Sequence, residues 1–136
     1  MATQIDPQAV VDPGAEIGTN CHIGPFCTIG PDVQIGDDTV LQSHVVVGAH
    51  TRIGRECDVF PFVTLGLPAQ DLKYVPGTVT CTEIGDRNHI REFVSVHAGT
   101  EEGSKTSIGN DCALLAQSHV AHNCFVGNHV IISHSA

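Results

Sequence analysis

An all-β, parallel-stranded solenoid of triangular section is the fold this sequence predicts, and three observations carry that prediction. Branched aliphatic residues recur every six positions. A small residue recurs four places after each of them. Glycine and proline fill the slots between. A beat of six is neither the three-and-four spacing of an amphipathic helix nor the every-second-residue alternation of a half-buried strand. Short extended segments joined by turns satisfy it. Three hexads then close one coil, and stacked coils pair as parallel strands roughly 4.8 Å apart.

From Ile5 to Thr64 the hexads follow one another without an insertion, opening on Ile5, Val11, Ile17, Ile23, Ile29, Ile35, Leu41, Val47, Ile53 and Val59. Their fifth positions are Ala9, Ala15, Cys21, Cys27, Val33, Thr39, Val45, Thr51, Cys57 and Val63, so positions one and five face inward. Glycine is concentrated at the second position and proline at the third. Both are read as turn formers, glycine for backbone angles closed to other residues and proline for its fixed φ. The beat breaks over 65–83 and resumes at Ile84. An insertion in a solenoid maps to a loop projecting from one edge, often on the binding side. Glu102 cannot be a buried aliphatic, so 101–105 reads as a second, smaller loop. The organisation is a single domain over 1–136, with coils at 5–64 and 84–136 and about six to seven coils in all at three hexads each. The last hexad stops at Ala136 without a polar cap, which leads us to expect a fragment.

Composition removes several function classes. The net charge is −9, with six Lys and Arg that form no cluster, which argues against nucleic acid. The N-terminus has neither a basic region nor an apolar run, so neither a signal peptide nor a membrane span is expected. Of the six cysteines, Cys21, Cys27, Cys57, Cys112 and Cys124 fall on the inward fifth position, where Cys acts as a small buried hydrophobe rather than a ligand or disulfide partner. Free thiols fit a reducing cytoplasm.

Chemistry is sought among the nine histidines. His22, His44, His50, His89 and His129 occupy outward slots of ordinary coils and read as solvated surface. His97, His119 and His122 lie beside the two loops. Three uses are open for them. One imidazole can act as a general base toward a hydroxyl substrate, since its ordinary pKa near 6.5 suits it to accept a proton at neutral pH. Three imidazoles can hold a metal if they converge across a subunit interface. Nucleophilic catalysis needs a Ser or Cys beside a base; Ser118 is adjacent in sequence, but the nearby cysteines face inward. Solvated histidines without a role are the remaining reading.

QDLKY at 70–74, TEIGDRNHIREFVSVHAGT at 82–100 and SHVAHNCFVGNHVI at 118–131 resemble the UDP-N-acetylglucosamine acyltransferases, as do the early IGPFCTIGPDVQIG and LQSHVVVGAHTRIG. This hexapeptide-repeat family begins lipid A biosynthesis. The resemblance implies a left-handed helix, whereas the general rule for parallel crossovers favours the right hand. It implies transfer of an R-3-hydroxyacyl group from acyl carrier protein to the 3-hydroxyl of UDP-N-acetylglucosamine, in a cytoplasmic homotrimer without cofactor or bound metal. His122 matches the family's general base, and Asn123 would orient it. His119 and His97 match histidines of the site. Gln70, Asp71 and Lys73 match the loop that contacts the sugar nucleotide. Three departures stand out: Asn123 and Ala98 replace the usual Asp and Arg, and the loop near Glu102 is short. The chain also stops before the family's oxyanion-hole glycine, uridine-binding residues and C-terminal helices, so low or absent activity is expected. The competing functions are a metal-dependent hexapeptide-repeat enzyme, like the carbonic anhydrases of this fold, and a non-catalytic scaffold.

Overall fold

The computed structural model describes residues 2–136, in which nineteen short strands and no helix wind into a left-handed parallel β-helix. A seven-stranded wall runs from Gln4–Ile5 to Ile131–Ile132. Two six-stranded walls run from Val10–Val11 to His119–Val120 and from Glu16–Ile17 to Phe125–Val126. The hexad's first position stacks on itself from coil to coil: Ile5 pairs with Ile23, Ile23 with Leu41, Leu41 with Val59, Val59 with Ile90 and Ile90 with Leu114. These residues and their counterparts on the other walls make one apolar core running the length of the prism. No helix of the described residues is long and apolar enough to cross a membrane.

The glycines are where the beat puts them, but for another reason than turn geometry. Positive φ falls on the fourth position of the hexad, on Asn20, Asp32, Asp38, Asp111 and Asn123, and even on Phe26, Phe62 and Phe93. The second position is where one coil's backbone lies against the next. A Cβ built on Gly24 would sit 1.3 Å from the Gln42 carbonyl oxygen, and one on Gly36 would sit 2.6 Å from the carbonyl carbon of Gly54. Steric room, not conformational freedom, selects glycine there. Gly66 is the exception among them, with φ of 81°. At that residue the register between the strands Thr64–Leu67 and Ser95–His97 shifts by a bulge, and the chain leaves the wall.

The inward cysteines are more than space-fillers. Along one corner, each fifth-position side chain donates to a second-position glycine carbonyl in the next coil: Cys21 Sγ to Gly36 (3.1 Å), Thr39 Oγ1 to Gly54 (2.7 Å), Cys57 Sγ to Gly85 (3.1 Å), Asn88 Nδ2 to Gly109 (2.8 Å) and Cys112 Sγ to Gly127 (3.1 Å). Thiol, hydroxyl and amide are interchangeable there because each is a short donor. All six cysteines are free, and burial pushes the Cys57 thiol up to about 11. Cys124, in the last coil, is exposed rather than buried. Three of the outward histidines are also engaged, His89 by an edge-on contact with the Phe60 ring at 5.0 Å between centroids. His44 stacks between Phe26 and Phe62, and His50 Nδ1 lies 2.7 Å from the Asp32 carboxylate.

Between the strands Thr64–Leu67 and Cys81–Ile84 the chain projects and is tied down at both ends. Ala69 is buried at the start of the projection. At its end the Val79 N–H donates to the Glu102 carboxylate (2.7 Å), and the Val79 carbonyl accepts from the Gly103 N–H (2.8 Å). The second loop therefore supports the first, and Glu102 does so with an exposed carboxylate.

Candidate active site

The fold brings the insertion and three histidines to one edge. His97 ends the strand Ser95–His97, and His119 begins the strand His119–Val120 stacked on it. Their rings meet edge to face with centroids 4.7 Å apart. His122 lies just past the corner, about one-third exposed, with its Nε2 3.9 Å from Asp71 Oδ2. Asp71 is only 15% exposed because the loop folds back over the corner. Its carboxylate is held first by the Lys73 backbone N–H, 2.9 Å from Oδ1, which makes the tight turn of QDLKY. That bond keeps the Asp71 carboxyl below the usual carboxylate range, helped by the Lys73 charge, the His122 ring and the Thr100 hydroxyl. Asp71 is an anion at neutral pH.

Each histidine has a distinct setting. His119 Nδ1 lies 2.7 Å from Ser95 Oγ and 3.1 Å from the Ser95 carbonyl oxygen. A carbonyl only accepts, so this nitrogen carries the proton. Ser95 therefore has no base at Nδ1, and the pair is not an activated nucleophile. Nε2 of His119 is left to accept from the Gln70 side-chain amide, at 3.5 Å, the outer limit of a hydrogen bond. Burial pushes the His97 pKa below its ordinary 6.5, and the neighbouring His119 and His122 add to the effect. Its Nδ1 is buried with no hydrogen-bond partner. His122 Nδ1 is 2.9 Å from both Thr100 Oγ1 and Asn123 Oδ1. Asn123 is fixed by three contacts of its own: its N–H donates to Thr106 Oγ1 (2.9 Å), its Oδ1 accepts from the Thr100 N–H (3.2 Å), and its Nδ2 faces Glu101 Oε2 (3.4 Å).

Gln70, Asp71, His97, His119, His122 and Asn123 thus lie in one continuous cluster. Lys73 stands beside it with an exposed side chain. Ser118 does not join: it is fully buried and faces the core, as its fifth-position slot requires. Among the described residues no three His, Cys, Asp or Glu side chains of one chain converge as metal ligands. Sequence reasoning missed Ser95 and Thr100. Ser95 is one coil below His119 on the same wall, so the parallel register could have found it. Thr100 is the fifth residue of the hexad opened by Val96, so its spacing marks it as one more small inward residue and does not single it out as a partner of His122.

Chemically, the cluster offers one imidazole nitrogen, Nε2 of His122, on the open side of the corner beside an anionic carboxylate. Such an arrangement can take a proton from a hydroxyl and shelter the resulting imidazolium.

A model of the bacterial transferase hexapeptide (six repeats) matches residues 2–31. Among solved structures, the chain is similar to the UDP-N-acetylglucosamine acyltransferase of Francisella novicida (37% identity, TM-score 0.91, 94% of this chain and 47% of that one). It is similar to LpxA of Acinetobacter baumannii (48% identity, TM-score 0.90, 93% and 49%). It is also similar to the UDP-N-acetylglucosamine O-acyltransferase of Moraxella catarrhalis (37% identity, TM-score 0.82, 96% and 58%). The chain spans about half the length of each of these proteins.

Proposed function

The chain belongs to the UDP-N-acetylglucosamine acyltransferase family, and on that premise we propose that it moves an R-3-hydroxyacyl group from acyl carrier protein to the 3-hydroxyl of UDP-N-acetylglucosamine, the first step of lipid A biosynthesis. The observation that carries the proposal is the single corner at which Asp71 and His122 meet, 3.9 Å apart across 51 positions of sequence. In this reading His122 Nε2 takes the sugar hydroxyl's proton as that oxygen attacks the thioester carbon. The C–S bond then breaks, and the imidazolium returns the proton to the leaving thiolate. No covalent enzyme intermediate is involved.

Asn123 orients the ring in place of a carboxylate. Asp71 is the remaining anion beside the imidazolium, at the ring's other nitrogen. Gln70, Asp71 and Lys73 grip the sugar nucleotide, with Lys73 as a mobile cation for the diphosphate. His97, kept neutral, and His119 line the same groove. No cofactor takes part, the working form is a cytoplasmic homotrimer, and the protein partner is the acyl carrier protein. The chain itself is a single β-helical domain over 1–136.

The test is to incubate the chain with UDP-N-acetylglucosamine and R-3-hydroxyacyl carrier protein and to follow both products by mass spectrometry. A 3-O-acylated sugar nucleotide appearing with an equal amount of free carrier thiol supports the proposal. Thiol release without sugar acylation contradicts it.

A further inference from the structure

We infer that Thr100 is a positioning residue that dictates which nitrogen of His122 is the base. The inference rests on the reading of His122 as a base, and its test is separable from that reading.

Asn123 could present either its oxygen or its NH2 to His122. The Thr100 backbone N–H, 3.2 Å from Asn123 Oδ1, requires an acceptor there, and the Glu101 carboxylate, 3.4 Å from Nδ2, requires a donor there. Both demand the same orientation, so the oxygen faces His122 Nδ1 at 2.9 Å. An amide oxygen cannot donate. His122 Nδ1 must therefore carry the ring's proton, which leaves Nε2 bare and basic. The Thr100 hydroxyl, also 2.9 Å from Nδ1, is a second acceptor for that proton, and its own hydrogen is free for the Asp71 carboxylate. Thr100 is 5% exposed, so its own end of these bonds is sheltered, while His122 and Asn123 keep contact with solvent. One residue thus sets the amide by its backbone and holds the imidazole by its side chain. An asparagine at 123 can then serve where a carboxylate would fix the tautomer by charge alone.

The experiment is nitrogen NMR of the ring of His122 at a pH where it is neutral, in the wild-type chain, Thr100→Val and Thr100→Ser. Free imidazoles favour the Nε2–H form. The inference requires the Nδ1–H form to dominate in the wild type. It requires the tautomer ratio to fall about fivefold in Thr100→Val, the weight of one neutral hydrogen bond, and to recover in Thr100→Ser. A wild-type ring in the Nε2–H form overturns it, and so does a Thr100→Val ratio equal to wild type. If Thr100→Val does not fold, Thr100→Ala, which removes the same hydroxyl with less bulk, takes its place with the same expected fall, and a wild-type Nε2–H ring overturns the inference in either case. Acyl transfer by His122→Ala is measured beside it. An active His122→Ala removes the base reading and leaves the tautomer result standing. An inactive one with a wild-type Nε2–H ring removes this inference alone.

Discussion

Replacing Gly24 with alanine puts the steric account of the β-helix to its hardest test. The added Cβ would lie 1.3 Å from the Gln42 carbonyl oxygen and 2.6 Å from its carbonyl carbon, against an ordinary contact of about 3.4 Å or more, and both atoms are backbone. No rotamer can relieve this. The coils must part by roughly 2 Å, which breaks the bond from the Gly24 N–H to the Leu41 carbonyl (2.8 Å) and loosens the packing of Ile23 on Leu41. Overpacking alone costs about 1–3 kcal/mol, and the lost hydrogen bond and contacts bring the total to on the order of 4 kcal/mol. In urea, with a slope of about 2 kcal/mol/M, the midpoint should fall by about 2 M. Two controls separate the mechanisms. Gly77 has φ of 92° and nothing within 4 Å of a built Cβ, so Gly77→Ala pays only for backbone strain, about 1–2 kcal/mol. Gly127 has neither problem, and Gly127→Ala should leave the midpoint unchanged within error. A Gly24→Ala midpoint at or above that of Gly77→Ala would refute the claim that close approach of coils selects these glycines.

Three further predictions concern the site and the thiols. Burial lowers the His97 pKa below 6.5, so between the folded and unfolded values the unfolded chain binds more protons and stability rises with pH; the urea midpoint should drop as pH falls from 7.5 to 5.5, and His97→Phe should shrink that drop. Alkylation under native conditions should modify the exposed Cys124 quickly and leave Cys57 untouched, and Cys57→Ala should cost about 2 kcal/mol in urea while Cys57→Thr, which keeps a donor for Gly85, costs less. Lys73→Ala keeps the backbone bond to Asp71, so it should raise KM for the sugar nucleotide about tenfold at low salt with kcat little changed, and added salt should narrow the difference.

The register of the prism was legible because it is dictated by burial. Ile23, Cys27, Ile29, Val33 and Leu41 are inward for the reason their spacing suggests. The meeting of the insertion with the histidines was legible only through the family resemblance of QDLKY and HVAHNC, since nothing in periodicity says how a loop folds back. The role of the second-position glycines was not legible. A repeated glycine looks the same whether it supplies a φ or vacates a volume, and the left-handed slot two places later mixes Asn and Asp, which favour that region, with Phe26, Phe62 and Phe93, which blur the signal. Thr100 was illegible for a different reason. Its partners at His122 and Asn123 are fixed by hydrogen-bond direction, a property that residue spacing does not encode.

The most direct test of the account is a single-turnover measurement of hydroxyacyl transfer to UDP-N-acetylglucosamine by the wild-type chain and by His122→Ala. General-base catalysis by Nε2 predicts transfer to the 3-hydroxyl by the wild type and a rate lower by about 10²–10⁴ in the variant. Equal rates for the two chains, whether both transfer or neither does, would contradict it.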